Sequence, residues 1–168
     1  MSDAPQAGSP DQGAGAAPPQ PSFNIVKLYV KDVSLEVPNA PQVFMQEASP
    51  QLEIQVRNEA MQFADGFFEV VVAVTVTARA ADKTVFLAEV AQAGIFAASG
   101  VPHAELEPLL AIACPTILYP YVREAISDLV ARAGFPPVVL QPVSFEQMYM
   151  ERRQQQAEGS EPRIEIAQ

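Results

Sequence analysis

The sequence predicts an α+β domain in which a four-stranded antiparallel sheet is followed by helices that pack on one of its faces. Residues 67–96 form a long run of alternating apolar and polar side chains, interrupted once by the polar turn at 80–83. Such a run is typical of an antiparallel β-hairpin. Two strand-like segments precede this hairpin, and helix-like segments come only after it. Strands first and helices second is an order typical of α+β domains.

The hairpin is the clearest element, because its two strands separate their side chains by parity. In the first strand one parity holds Val70, Val72, Val74, Val76 and Ala78. In the second strand one parity holds Phe86, Ala88 and Val90, and the other holds Leu87 and Glu89. The period of two predicts that each set lies on one face of the sheet.

The two earlier strands are predicted at 23–37 and from residue 51 onwards. The first has apolar side chains on both parities, so we expect it to be covered on both faces or bent by a β-bulge. The second alternates apolar and polar residues, which predicts a half-buried strand that can continue to the turn at Asp65-Gly66.

Helices are predicted after residue 103. Residues 104–113 are compatible with a first helix, and Pro115 can open a longer one at its first position. We expect this longer helix to be bent by Pro120 and to end at Gly134. Its apolar stripe is predicted at Leu118, Val122, Ala125, Leu129 and Ala133.

A last helix is predicted after the extended linker 138–142. Ser144 is its expected N-cap, Gln147 completes a capping box, and Val143 with Met148 forms a hydrophobic staple. The domain therefore covers residues 23–156. Residues 1–22 are rich in Ala, Pro and Gly and are predicted to be disordered, and 157–168 are predicted to form a mobile tail.

Composition excludes several classes of function. The formal net charge is −10 and the pI is about 4.4, so nucleic acid and anionic membranes are poor partners, whereas a basic protein is favoured. The single cysteine, Cys114, and the single histidine, His103, make metal sites and His-based triads improbable. We expect neither a signal peptide nor a membrane helix, and a cytoplasmic protein that is not an enzyme.

Two apolar features exceed what one small core needs. The face of the sheet without helices still has Val71, Ala73, Leu87 and Ile95. A face of this kind is covered by other subunits or by a partner, so we expect self-association. The loop at 42–50 also contains Val43, Phe44 and Met45, which either tuck under the loop as a satellite cluster or form a binding surface.

Five segments of the sequence, taken together, resemble SecB, the bacterial protein-export chaperone. They are KLYVKDVSLEVPNAP at 27–41, FEVVVAVTVTA at 68–78, FLAEVAQAGIF at 86–96, CPTILYPYVREAISDLVARAGFPP at 114–137 and PVSFEQMYMERRQQQ at 142–156. The similarity is spread over residues 23–156. It implies a SecB-like fold assembled as a homotetramer (a dimer of dimers), with the helix at 115–133 as the pairing element.

The resemblance also implies a function without nucleotide, metal or other cofactor. SecB binds unfolded precursor proteins, independently of ATP, and delivers them to the SecA motor for export across the inner membrane. The SecA contact in SecB corresponds here to Asp32, Glu36, Leu87 and Glu89. By parity Asp32 and Glu36 share a face of one strand, as do Leu87 and Glu89 of another. The alternative is a solvated edge with one exposed leucine.

The groove for unfolded clients in SecB lies between the loop after the first strand, the second strand and the last helix. The resemblance places along it Val43, Phe44, Met45, Leu52, Ile54, Val56, Met148 and Tyr149. A groove lined by methionine and aromatic residues suits promiscuous binding, because such side chains repack against different sequences. The alternative is that Leu52, Ile54 and Val56 are plain core.

The chain departs from the SecB pattern at four places. Ala48 stands where SecB proteins can have a tryptophan, and position 88, between the SecA-contact residues Leu87 and Glu89, is alanine. Residues 159–168 are not clearly basic, and the N-terminal tail has no assigned role. Two other functions stay open. One is a SecB-like chaperone dedicated to a single partner such as an antitoxin. The other is a small hot-dog-type enzyme, disfavoured because its long helix would follow the early strands.

Overall fold

The computed structural model describes residues 20–46 and 49–159. Most of the two predicted tails, and Ala48, lie outside these residues. The four strands are β1 (Ser22–Glu36), β2 (Gln51–Ala64), β3 (Phe67–Ala80) and β4 (Lys83–Ser99). They form one antiparallel sheet in the order β1-β4-β3-β2, so β1 and β2 are its edges. The predicted four-stranded antiparallel sheet is confirmed.

The two faces of the sheet differ as the parity predicts. Val70 is opposite Gly94 and Val76 is opposite Ala88, and these residues lie on the face that the helices cover, which we call the helix face. Its even-numbered β3 residues from Phe68 to Ala78 are all buried. The opposite face, which no helix of the described residues covers, is called the open face.

Strand β1 is bent by two irregularities in its pairing with β4, one between Ile25 and Lys27 and one between Val30 and Asp32. The predicted β-bulge is therefore confirmed. In the single chain, apolar side chains of β1 remain about half exposed on this edge strand, namely Ile25, Val26, Val30 and Val33.

The segment after the sheet is one continuous helical stretch instead of two helices. It comprises α1 (His103–Pro108), a π-helical turn (Leu109–Ala113) and α2 (Cys114–Arg132). Pro115 has no N–H to donate to the carbonyl of Ala111, four residues earlier. That carbonyl accepts a hydrogen bond of 3.3 Å from Asn58 Nδ2 of β2 instead. A π-turn with a side-chain donor thus lets the helix pass through the proline.

The apolar stripe of α2 is rotated from the predicted one. The fully buried residues recur every four positions at Leu118, Val122, Ile126 and Val130, whereas the predicted Ala125, Leu129 and Ala133 lie half-buried beside them. Apolar residues occupy both rows, so the sequence pattern alone did not decide which row faces β3 and β4.

By length and composition, the stretch His103–Arg132 could cross a membrane, since it has 30 residues and a window of mean hydropathy 1.2. The core helix of a soluble protein passes the same test. Helix α2 packs on β3 and β4 with its stripe fully buried, as a core helix does. Cys114 at its start is also fully buried, and burial raises the pKa of its thiol to about 12, which makes it a poor nucleophile.

Helix α3 (Phe145–Gly159) begins after an extended linker, as predicted. Ser144 Oγ accepts the backbone N–H of Gln147 at 3.2 Å, which confirms the N-cap. The side chain of Gln147 donates to Glu151 and not back to Ser144, so the capping box is formed in one direction only.

Candidate binding surfaces

An apolar groove of about 560 Å³ opens on the helix face, between the loop after β1, the start of β2 and the segment after α2. We call it the apolar groove. The loop forms a short 3₁₀ helix, Gln42–Met45. Two residues after the end of α2 at Arg132 lies Gly134, whose φ of +89° favours glycine. Four residues predicted for the client groove line it: Val43, Phe44, Leu52 and Ile54.

Aromatic rings from the loop after β1, from β4 and from the segment after α2 pack together along the apolar groove. The ring of Phe44 lies 5.2 Å from that of Phe135, which lies 5.0 Å from that of Phe86, measured between centroids. Phe44 is half exposed, and Val43 packs against the core. Met45 is 85% exposed and does not tuck under the loop. The expected satellite cluster therefore holds for Val43, and in part for Phe44.

The floor of the apolar groove is formed by β2. Leu52 and Ile54 are 45% and 44% exposed, because α2 covers β3 and β4 and does not reach this edge. Val56, one step further along the strand, packs against the core. In the single chain, Val56 is therefore packed against the core, whereas Leu52 and Ile54 are exposed in the groove.

Helix α3 does not line the apolar groove in the single chain. Met148 packs against the core, and Tyr149 is 8% exposed with its hydroxyl accepting a hydrogen bond from Arg153. The second wall is formed by residues 134–139, including Phe135 and Val139. The sequence pattern did not predict this wall, because apolar residues among prolines show no periodicity. The one feature that could have indicated it is the position of these apolar residues directly after the end of the helix.

The four residues predicted to contact SecA lie together on the open face. Glu36 of β1 is paired with Leu87 of β4, Ser34 with Glu89, and Asp32 with Ala91. Because paired residues of antiparallel strands point to the same face, the three carboxylates share one face with Leu87. Glu36 is directly opposite Leu87, and Asp32 lies further along the same two strands, opposite Ala91. We call the set Asp32, Glu36, Leu87 and Glu89 the acidic surface.

Further along the open face, three polar side chains cover a small apolar cluster. Tyr29 OH donates to one carboxylate oxygen of Glu69, and Lys31 Nζ lies 2.6 Å from the other. The hydrogen bonds from Lys31 and Tyr29 hold the pKa of Glu69 below its usual range, and the bond to Glu69 raises the pKa of Tyr29 to about 12. Beneath them, Val71, Ala91 and Ala93 are buried. Part of the predicted open apolar face is thus covered by the chain itself.

Comparison with known proteins identifies the family of this chain. The model of the family "Preprotein translocase subunit SecB" matches residues 16–156. A protein-export protein SecB of Chromobacterium violaceum is 58% identical, over 83% of this chain and 93% of the relative. Those of Dechloromonas aromatica and Methylobacillus flagellatus are 61% and 53% identical, and each alignment covers more than 80% of this chain and 90% of the relative.

Among solved structures, a Mycobacterium tuberculosis SecB-like chaperone, in complex with a ChAD peptide from an antitoxin, has a similar fold. Its TM-score is 0.60 at 20% identity, over 72% of this chain and 90% of that one. The fold likeness, the family match over most of the chain and relatives at 53–61% identity agree. This chain belongs to the SecB family and is a chaperone of preprotein export.

Proposed function

We propose that this chain acts as a cytoplasmic homotetramer, a dimer of dimers, that holds unfolded preproteins and transfers them to the SecA motor. It does so without catalysis, nucleotide or metal. The observation that supports this most strongly is the arrangement of two different binding surfaces on opposite faces of one sheet. The apolar groove lies on the helix face and the acidic surface on the open face, so a client and a motor protein have separate places to bind.

The apolar groove suits an unfolded segment. Its half-exposed Phe44, Leu52 and Ile54 offer apolar area without a fixed hydrogen-bond pattern, so binding depends on burial and not on a sequence code. Met45, Met148 and Tyr149 stay predicted members of the client site, because a client or neighbouring subunit can extend the surface beyond the groove of one chain.

The groove is tested by Ile54→Asp, with Gln55→Asp on the opposite face of β2 as the matched control. Loss of one buried aliphatic contact and burial of a carboxylate are expected to weaken binding of a fluorescent unfolded preprotein about tenfold or more. The control is expected to bind as the unmodified protein does. Equal affinities for both variants would remove β2 from the client site.

The acidic surface suits a basic partner. Its three carboxylates attract cationic side chains, and Leu87 adds a small apolar contact that is excluded from water on docking. In a chain of net charge −10, the surface is also part of a field that speeds association with a basic protein.

The SecA contact is tested by Glu36→Lys, with Glu59→Lys as the control. Both residues lie on the open face and both changes alter the charge equally, but Glu59 is on the far edge strand, opposite Val71. We expect only Glu36→Lys to weaken SecA binding strongly in a titration at fixed salt. An equal loss in both would indicate a general charge effect and not a contact at the acidic surface.

The tetramer is supported by apolar residues that one chain leaves exposed. Strand β1 is an edge with free backbone groups and half-exposed side chains such as Val26 and Val30, and Tyr121 of α2 is 49% exposed. These are the places where neighbouring subunits would pack.

The dedicated-partner alternative is less favoured. An antitoxin peptide is bound by the structural neighbour at 20% identity, whereas the relatives at 53–61% identity are export proteins. The enzyme alternative is disfavoured by the order of elements, since all helices of the described chain longer than one turn follow the four strands.

A further inference from the structure

Glu89 of the acidic surface is held by two residues outside that surface. Thr75 Oγ1 donates a hydrogen bond of 2.7 Å to Glu89 Oε2, and Arg57 Nη2 lies 3.7 Å from the same oxygen. Among the described residues, no donor or cation lies within hydrogen-bond or ion-pair distance of the other carboxylate oxygen, Oε1. The side chain of Glu89 is 32% exposed. The carboxylate is therefore anchored through one oxygen and presents the other at the open face.

The sheet register explains how these residues meet. Thr75 of β3 is directly opposite Glu89. Arg57 is opposite Ala73, one strand further away, and its side chain must cross β3 to approach Glu89. A depression of about 530 Å³ lies on this path, and Arg57, Ala73 and Glu89 are among the residues that line it.

The two interactions differ in strength. The hydroxyl of Thr75 is a short-range donor at hydrogen-bond distance, whereas the guanidinium of Arg57 is 68% exposed and at the outer limit of an ion pair. An exposed ion pair of this geometry is weak and is screened by salt. A cationic partner can displace Arg57 from Glu89, but it has to compete with Arg57 for the carboxylate, because the guanidinium is tethered nearby in the same chain.

We propose that Arg57 is a specificity-determining residue of the acidic surface, an internal cation that a basic partner segment must displace from Glu89, with Thr75 as the positioning residue that holds the carboxylate. This inference rests on the proposed contact between SecA and the acidic surface. A lone basic side chain of an unfolded client gains little by displacing Arg57. A partner that also contacts Asp32, Glu36 and Leu87 gains enough binding free energy to displace Arg57. The competition by Arg57 therefore favours partners that contact the complete acidic surface.

The test is a titration of full-length protein with SecA at low and high salt. Arg57→Gln is expected to bind SecA about twofold to fivefold more tightly at low salt, the size of one exposed ion pair, and the gain is expected to shrink at high salt. Glu89→Gln is expected to weaken binding, and adding Arg57→Gln to it is expected to have no effect. Lys83→Gln, which removes the same charge at the start of β4, is the control and is expected to match the unmodified protein.

Thr75 is tested by a pair of substitutions. Thr75→Val removes the donor at nearly constant shape and is expected to weaken SecA binding, whereas Thr75→Ser keeps the donor and is expected to preserve it. Assembly mass and thermal unfolding, measured for each variant, separate positioning from a general loss of fold.

Each outcome supports or overturns the inference. If Glu89→Gln binds SecA normally, the proposed SecA contact at Glu89 fails and the inference fails with it. If Glu89→Gln weakens binding but Arg57→Gln does not tighten it, the inference alone is overturned and the contact stands. If Arg57→Gln tightens binding equally with and without Glu89, Arg57 acts through net charge and the competition is refuted.

Discussion

At the scale of single residues, the helix face is packed so closely that Gly94 leaves no room for a methyl group. A Cβ at this position would lie 2.7 Å from Phe96 Cε2 and 3.1 Å from Leu118 Cδ2. Neither neighbour can move easily, because both are fully buried and the ring of Phe96 is stacked on Phe23 at 5.5 Å. Strand β4 passes under α2 at a position where only glycine fits.

We therefore predict that Gly94→Ala lowers the free energy of unfolding by about 1–3 kcal/mol, the usual effect of overpacking a core. Urea denaturation measures this, with Ser99→Ala at the exposed end of the same strand as the control. A Gly94→Ala protein as stable as the control would contradict the close packing.

Glu69 provides a residue-scale prediction about pH. Its pKa is lower in the folded protein than its ordinary value of about 4.3, because it accepts hydrogen bonds from Lys31 and Tyr29. A lowered carboxyl pKa stabilises the fold above the ordinary pKa, and this stabilisation is lost as pH falls through the folded pKa. The difference in unfolding free energy between the unmodified protein and Glu69→Gln should thus be largest at neutral pH and shrink below about pH 4. A difference that does not change with pH would show that the ionised form contributes nothing.

Parity along one strand was enough to predict which residues share a face. The alternation correctly indicates that Asp32 and Glu36 point to the same side of the sheet. It also indicates the set that is buried together in β3, namely Val70, Val72, Val74 and Val76. The neighbours of Glu89 could not be predicted in this way. Arg57 and Thr75 approach it through cross-strand register, which depends on how three strands align and not on the pattern within any of them.

At the scale of elements, the joint between β2 and the long helix depends on one polar side chain. Asn58 donates to the carbonyl of Ala111, which has no i+4 backbone donor because residue 115 is proline. The same side chain accepts a hydrogen bond of 2.9 Å from Arg152 of α3, so three elements meet at it. Proline is typical of the first turn of a helix, where its missing N–H costs no hydrogen bond, so the sequence predicts a helix start at Pro115. The helix continues through Pro115 because Asn58 of the distant strand β2 supplies the donor.

We predict that Asn58→Ala destabilises the protein by about 1–3 kcal/mol, because it leaves a partly buried carbonyl unsatisfied. The cost should fall when Pro115→Ala is also present, since residue 115 then has an N–H for the same carbonyl. A double-mutant cycle measured by urea denaturation gives the coupling between the two sites. Strictly additive effects would contradict the account of the π-turn.

The order of the strands is the part of the fold that local patterns could not provide. The alternation predicts four strands, but β1 pairs with β4 and not with β2, its neighbour in sequence. The segment 37–50 has to cross from one edge of the sheet to the other, and its 3₁₀ helix brings Phe44 against Phe135 on the way. The apolar groove is a product of this crossing, which is why its second wall was not predicted.

At the scale of the whole molecule, the sheet separates two kinds of binding. The helix face has apolar side chains that one chain does not cover, and the open face has the acidic surface. If the proposed assignment of these two surfaces is correct, a preprotein and SecA bind at the same time, and loss of one contact should leave the other intact. Independent binding distinguishes a chaperone that transfers its client from a protein with a single apolar binding surface.

The most direct test is light scattering after size exclusion, with an unfolded preprotein and SecA, on the unmodified protein and on Asp32→Asn/Glu89→Lys. We predict a particle of four 18.1 kDa chains that binds the preprotein, and a heavier particle when SecA is added. The variant should keep the tetramer mass and the preprotein and fail to bind SecA. A variant that loses both ligands, or an unmodified protein that is monomeric and indifferent to unfolded chains, would contradict the account.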